Sequence, residues 1–311
     1  MLRTTGIRLA FDRALAAELV QWLLYLTLLA AAAARAALTR RHRPAIWFTP
    51  QRARPWYLAR GAALWGGLRA ARGEADADIA FYFEDVTAGE LPASPLVVLN
   101  GGCANVSKSH VAAVFEQVFG RPLRIDPRTA RGEMVEKSEK NGVHDGRVIA
   151  GPCRPRPGYV YQRCIDTADD AGVRHDLRTL CVDGRPLLIW EKRKAPGSAF
   201  SINNLSAALR RPEDEFTPLE LGQIARFCGR MGLDWGGLDI LRDRRDGQIY
   251  IVDVNKTDLG PVVALSWPDK IRSMRLLSSA LRGLVAARLA GETAAGALAP
   301  DPEPRRQVVN G

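Results

Sequence analysis

Gly236-Gly237-Leu238-Asp239-Ile240-Leu241, followed after a polar gap by Gln248-Ile249-Tyr250-Ile251-Val252-Asp253-Val254-Asn255-Lys256, carries the strongest fold signal in the chain. Leu238, Ile240, Ile249, Ile251 and Val252 supply β-prone apolar positions, and Arg242 to Gly247 supplies a turn closing on Asp246-Gly247, so the pattern predicts a β-hairpin. Asp239 lies in the first strand. Asp253 and Asn255 are two apart in the second and leave the sheet on one face. Pairing around Asp246-Gly247 brings Asp239 opposite the neighbourhood of Asp253. Two carboxylates and one amide oxygen then converge at a strand end, an oxygen set suited to Mg²⁺ carrying phosphates. The alternative is a solvated hairpin with ordinary polar residues. Against it, a carboxylate inside an apolar strand is costly without a partner.

Outward from the hairpin, the chain reads as globular. Its 311 residues suffice for two or three modest domains, and 47% hydrophobic with 25% charged residues is ordinary for a packed core. Net charge is +10, from 44 Lys and Arg against 34 Asp and Glu. Much of the excess is early, at Arg35, Arg40, Arg41, Arg43, Arg52, Arg54, Arg60, Arg69 and Arg72. A basic surface favours nucleotides, nucleic acid or anionic lipid. No DNA- or RNA-binding signature is present, so no nucleic-acid partner is expected. Cys103, Cys153, Cys164, Cys181 and Cys228 form no C-x-x-C pair, and their odd number predicts free thiols in a reducing, cytoplasmic compartment.

The N-terminal residues 1–43 contain Leu19 to Ala34, a run of 16 uncharged residues ahead of Arg35 and Arg40-Arg41-His42-Arg43. Three readings compete: a helix packed on the protein, a membrane-associated helix, and a membrane anchor with the basic cluster on the inner face. Residues 45–49, 78–83 and 96–100 read as strands, and 56–72 and 107–119 as helices, the second capped by Ser107 and stopped by Gly120. Leu123-Arg124-Ile125 reads as a fourth strand. Alternating strand and helix predicts a small α/β domain over 44–126. Gly101-Gly102 follows a strand without the G-x-G-x-x-G of a dinucleotide site.

From residue 127 the pattern turns to antiparallel strands. Met134 to Lys137 ends at a polar loop, Ser138 to Gly146, which contains Gly142. Lysine at a strand end beside such a loop can hold phosphate by charge and backbone N–H groups. Tyr159 to Ile165 is a strand. Asp176 to Val182 and Pro186 to Trp190 form a hairpin around Asp183-Gly184, and the second strand ends in Glu191-Lys192-Arg193-Lys194. Arg178 and Arg193 lie on paired strands, where both can point at one anion or form a solvated face. Thr217, Pro218 and Glu220 open a helix to Met231, and 270–289 forms a terminal helix. Residues 291–311 are rich in Ala, Gly, Pro and charge and are expected to be disordered.

The order of these parts closely resembles the ATP-grasp superfamily: a strand-end lysine with a glycine loop, a Gln-x-x-Ile strand, Asp-x-Arg, a strand ending in arginine, then Asp…Asp-x-Asn. The hairpin looks like that of D-alanine–D-alanine ligases, with Asp253 where the family usually has Glu. Asp176-x-Arg178, Arg193 and Asn203-Asn204 look more like the glutathione-synthetase and ribosomal-protein glutamate-ligase branch. The resemblance covers about residues 127 to 285. It implies an α/β and α+β fold: a small α/β N-terminal domain, then an ATP-grasp domain of two α+β subdomains over 127–290.

The resemblance also implies roles. Lys137, Ser138 and Gly142 would hold ATP phosphates. Gln162, Arg163, Cys164 and Ile165 would receive adenine, and Asp176, or Asp169 or Asp170, the ribose. Arg128 or Arg131 would stand where a second phosphate lysine is common. Mg²⁺ would sit on Asp239, Asp253 and Asn255, and Arg178 and Arg193 would stabilise the transferred phosphoryl group. The expected activity is ATP- and Mg²⁺-dependent joining of a small-molecule or peptide carboxylate to an amine, or less often a thiol, through an acyl phosphate. A non-catalytic nucleotide- or partner-binding module and a kinase on the same fold are the alternatives. Residues 196–212 and 256–268, with Lys256 and Asp258, are expected to line the acceptor pocket.

Overall fold

The computed structural model describes residues 13–143, 145–197, 200, 204–260 and 264–291. Strands β1 (Ala45–Pro50), β2 (Arg69–Ala70), β3 (Ile79–Phe83) and β4 (Val98–Leu99) form a parallel sheet in the order β2-β1-β3-β4. Strand β3 is Ile-Ala-Phe-Tyr-Phe and buried at every position, the pattern of a parallel strand covered on both faces. Helices α1 (Arg13–Thr39), α2 (Leu58–Trp65) and α3 (Lys108–Phe119) belong to this N-terminal part. Ser107 caps α3 by accepting from His110 N, and Gly120 ends it in the left-handed region at φ 67°.

Three expectations change here. The helix expected over 56–72 stops at Trp65, because Gly66-Gly67 turns the chain and releases residues 69–70 to strand β2. The strand expected over 96–100 shrinks to Val98–Leu99, because Asn100 leaves the sheet at φ 57°. Leu123-Arg124-Ile125 does not join the parallel sheet. Arg124 instead makes a single antiparallel bridge to Gln162.

The second half holds two antiparallel sheets. Strands β5 (Gly132–Ser138), β6 (Arg147–Gly151) and β7 (Tyr159–Arg163) run in the order β6-β5-β7. The larger sheet takes β8 (Arg174–Val182), β9 (Arg185–Lys194), β10 (Ser206–Arg210), β11 (Trp235–Arg242) and β12 (Ile249–Asn255) in the order β10-β9-β8-β11-β12. A short helix, α4 (Pro212–Glu215), leads to α5 (Pro218–Met231), which starts on a capping box between Thr217 and Glu220. Helix α6 (Trp267–Leu289) closes the fold. This is the mixed α/β and α+β architecture expected from the sequence. Of the expected tail 291–311, all but Gly291 lies outside the described residues.

The five-stranded sheet is covered on both faces. Leu180, Leu188, Trp190 and Trp235 join α2, α6 and the parallel sheet in one core, while Leu177, Cys181, Ile189, Leu238 and Ile240 pack with α3 and α5 in the other. Helix α6 therefore returns the chain to the N-terminal domain. All five cysteines are free thiols.

Gly101-Gly102 has a structural use. The Cα of Gly232, the left-handed cap of α5 (φ 64°), lies 3.0 Å from where a Cβ on Gly102 would stand. Beside it the buried Asn100 amide donates to Trp235 O and accepts from the Asp234 and Trp235 N–H groups. A Cβ on Gly232 would stand 2.4 Å from the Gly102 carbonyl carbon. Gly232→Ala is expected to lower stability by more than about 1 kcal/mol, read as a lower urea midpoint at unchanged m-value.

Candidate active site

The hairpin forms as expected, with Asp239 directly opposite Asp253 and Gly237 opposite Asn255. A β-bulge makes this possible. Asp239 pairs with Asp253 but Ile240 pairs with Ile251, leaving Val252 as the extra residue. Strict alternation would place residues 249, 251, 253 and 255 on one face. The bulge lets Ile249 and Ile251 stay in the core while Asp253 and Asn255 line a cavity. It also frees the Val252 carbonyl, which accepts from Lys137 Nζ at 2.9 Å.

Arg178, on β8 opposite Asp239, is the central cation of the site. Its Nη1 donates to Asp239 Oδ1 at 2.8 Å, and its Nη2 donates to Asp258 Oδ1. Gly237 makes room: a Cβ there would stand 2.6 Å from Arg178 Nε and 2.3 Å from Asp258 Oδ2. Burial alone would raise the Asp239 carboxyl, but Arg178 and Lys192 outweigh it and hold it well below the usual carboxylate range. Asp258, buried more than Arg178 can offset, is pushed up.

The cavity encloses about 580 Å³ between the two antiparallel sheets and the N-terminal domain. Eight basic side chains line it (Lys108, Lys137, Lys140, Arg163, Arg174, Arg178, Lys192 and Lys194) against six aspartates. Such an excess suits a polyanion. The other part of the lining is apolar, with Val135 and Val148 from the three-stranded sheet and Ile165 and Leu241, and with Gln162 to Cys164 beside them; there Arg163 N donates to Leu123 O and Cys164 O accepts from Arg245 Nη2. Gln162 Nε2 is buried without a partner. Burial pushes Lys137 down to about 8, against the pull of Asp253 and Asp239.

The cavity brings together most of the residues singled out from the sequence. Lys137, Gly142, Gln162, Arg163, Cys164, Ile165, Asp176, Arg178, Asp239, Asp253 and Asn255 all line it. Three expectations fail. Arg193 lies outside the lining, 45% exposed, with Nε 3.5 Å from Glu191. Its partner across β8–β9 is His175; Arg178 faces Trp190. Ser138 does not line the cavity, since its hydroxyl accepts from Lys140 N. Nor does the loop present its first N–H groups to a ligand. Those of Ser138, Glu139, Lys140 and Asn141 are bonded to Asp145, Gly158 O, Ser138 and Thr87.

Other candidates sort the same way. Asp169 accepts from the Ala171 and Val173 N–H groups and Asp170 pairs with Arg244, which leaves Asp176, 2.5 Å from Lys194 Nζ, as the member of that trio in the cavity. Arg128 and Arg131 are exposed outside it. Lys256 is buried elsewhere, its Nζ on Cys103 O at 3.2 Å and over the Tyr82 ring; Asp258 does line the cavity. Asn203 lies outside the described residues.

Sequence reasoning missed Lys192 and Lys194, which alternation along β9 from Trp190 places on the Arg178 face. It also missed Lys108, at the start of α3, whose Nζ is 3.6 Å from Asp253 Oδ1. No local signal marks that lysine, because the contact spans the two halves of the chain.

The residues fit a divalent cation. Asp253 Oδ1 is buried and makes no hydrogen bond, and Asp239 stays ionised beside it. Among the described residues no group of three His, Cys, Asp or Glu side chains is placed to hold a metal, and the Asn255 amide oxygen beside the two aspartates accepts from Thr257 N at 2.8 Å.

No family model matches the chain, and no curated protein matches it. In fold it is similar to solved ATP-grasp ligases. D-alanine–D-alanine ligase from Bacillus anthracis superposes with a TM-score of 0.48 at 11% identity, covering 80% of this chain and 98% of that one. The macrocyclase MdnC from Microcystis aeruginosa MRC, bound with precursor peptide MdnA, gives 0.46 at 12%, covering 76% and 99%. The ATP-grasp ligase PsnB, complexed with a phosphomimetic variant of its minimal precursor, Mg and ADP, gives 0.40 at 16%, and this chain spans 62% of its length.

Removing Arg178 strands two carboxylates, the buried Asp258 and the half-buried Asp239. Arg178→Met is expected to cost about 3–5 kcal/mol in urea unfolding, and adding Asp258→Leu to recover part of that loss.

Proposed function

We propose that the chain is an ATP- and Mg²⁺-dependent ligase that joins a carboxylate to an amine, or to a thiol, through an acyl phosphate. The observation that carries this reading is one cavity with three chemically distinct parts. They are an apolar part with the unpartnered Gln162 amide N–H for a nucleobase, a lysine- and arginine-lined part for phosphates, and an aspartate pair with an amide. We also propose a cytoplasmic location, since five free thiols suit a reducing compartment.

In this reading Val135, Val148, Ile165 and Leu241 hold the base, and the Gln162 amide N–H orients it. Asp176 accepts from the ribose hydroxyls. Lys137 and Lys140 hold the phosphates from the three-stranded sheet and its loop. Asp239, Asp253 and Asn255 would hold Mg²⁺, which when bound offsets charge on the leaving β-phosphate. Arg178, fixed by Asp239 and Asp258, and Lys192 face the carboxylate that receives the phosphoryl group. The same cations stabilise the oxyanion formed when the amine attacks the acyl phosphate and phosphate leaves. Acceptors are small-molecule or peptide carboxylates.

A second reading, nucleotide binding without turnover, is favoured by one observation: Asp253 is a methylene shorter than glutamate and already has Lys108 at 3.6 Å. Hydroxylamine separates the two. With ATP, Mg²⁺ and a panel of amino acids and peptides, the ligase releases ADP and yields a hydroxamate, and Asp253→Ala abolishes both. A stable phosphorylated product without hydroxamate identifies a kinase. Mg²⁺-dependent ATP binding in calorimetry without ADP release identifies the binding module, and no metal-dependent binding overturns every nucleotide reading.

Lys137 sets the pH dependence. Its protonated form attracts phosphate, so nucleotide binding is coupled to proton uptake once the free lysine, at about 8, has lost its charge. Metal-free ADP affinity is expected to be level below that pH and to fall above it, by up to about tenfold per unit. Lys137→Arg, which stays charged, is expected to flatten the profile.

A further inference from the structure

Helix α1 packs one face on the protein. Tyr25, Leu29 and Ala36 are buried, with Trp22 and Leu26 beside them, in the core shared with α2 and α6. Tyr25 Oη reaches Met274 Sδ, and Lys270 Nζ donates to Gln21 Oε1. The buried stripe runs from Tyr25 to Ala36. By length and composition the stretch Ala16–Thr39 is apolar enough to cross a membrane, and 11% of its most apolar window is buried against the protein.

The opposite face of α1 has no partner among the described residues. Leu19, Val20, Leu23, Leu24 and Leu28 are 54%, 55%, 64%, 49% and 38% exposed, and no charge interrupts the helix between Glu18 and Arg35. At its C-terminal end the surface turns basic. Arg35, Arg41 and His42 are exposed, and Arg40 lies near Arg35, Arg43 and Arg282 of α6. Soluble monomers rarely expose a contiguous leucine face of this length. An exposed apolar helical face next to a cation cluster suits the boundary where acyl chains meet anionic headgroups, with the helix lying along it.

We infer that α1 is an in-plane docking surface for an anionic lipid bilayer, with the leucine face entering the interface and the arginine cluster on the headgroups. A second copy of the chain covering the same face would leave these arginines without counter-charge, whereas anionic headgroups supply it. The inference is independent of the proposed reaction.

The test uses the full chain, sedimented with phosphatidylcholine vesicles and with vesicles containing roughly a third phosphatidylglycerol. Expected is binding at least about tenfold stronger to the anionic vesicles, weakened by salt. Leu23→Glu with Leu24→Glu is expected to abolish it, and Arg35→Glu with Arg41→Glu to remove the preference for anionic lipid. These side chains are exposed, so unchanged circular dichroism and thermal midpoint are expected in both variants. Absence of binding to either vesicle overturns the inference, as does equal binding to both. A concentration-dependent dimer in sedimentation velocity, lost in the leucine variant while vesicle binding is absent, assigns the face to a second copy instead.

Discussion

A guanidinium held between two aspartates is the interaction on which the site depends. Arg178 ties Asp239 on the neighbouring strand to Asp258 beyond the end of the hairpin. It neutralises much of the acidic end without help from solvent, and it keeps Asp239 ionised where burial would otherwise favour its protonated form. The glycine at 237 and the bulge at Val252 both serve this arrangement, one by clearing space and the other by turning Asp253 out of the core.

Much of this was legible in residue types and spacing. The hairpin followed from Asp246-Gly247 and the apolar pattern, which bring Asp239 to the neighbourhood of Asp253; the exact pairing depends on the bulge at Val252, which no residue type marks. Helices α3 and α5 were announced by their caps. What failed depended on parity or on distance along the chain. Arg193 was chosen for its charge, although its odd offset from Trp190 puts it on the other face of β9 from Lys192. Lys108 reaches the site because tertiary packing brings α3 to β12, and nothing within its own segment encodes that. Residues 66–72 looked helical by composition, but paired glycines ended the helix before propensity could extend it.

Charge is unevenly distributed over the molecule, and the two concentrations have different consequences. In the cavity, lysines and arginines stand against aspartates at close range, as in the pairs Arg178–Asp239 and Lys194–Asp176, which orient one another. Around the end of α1, Arg40 lies near Arg35, Arg43 and Arg282, a surface arrangement that salt screens readily.

The backbone contact between Gly102 and Gly232 bears on how the walls of the cavity are held. With Asn100 bonded to Asp234 and Trp235 beside it, and α6 packed back on α2, the parallel sheet and the five-stranded sheet are fastened at two separated places. The three-stranded sheet is tied in as well, by backbone bonds from Ile125 N to Tyr161 O and Arg163 N to Leu123 O and by Lys137 to Val252 O and Asn141 N to Thr87. Lys137 therefore answers to two anchors, its own strand and the Val252 carbonyl across the cavity.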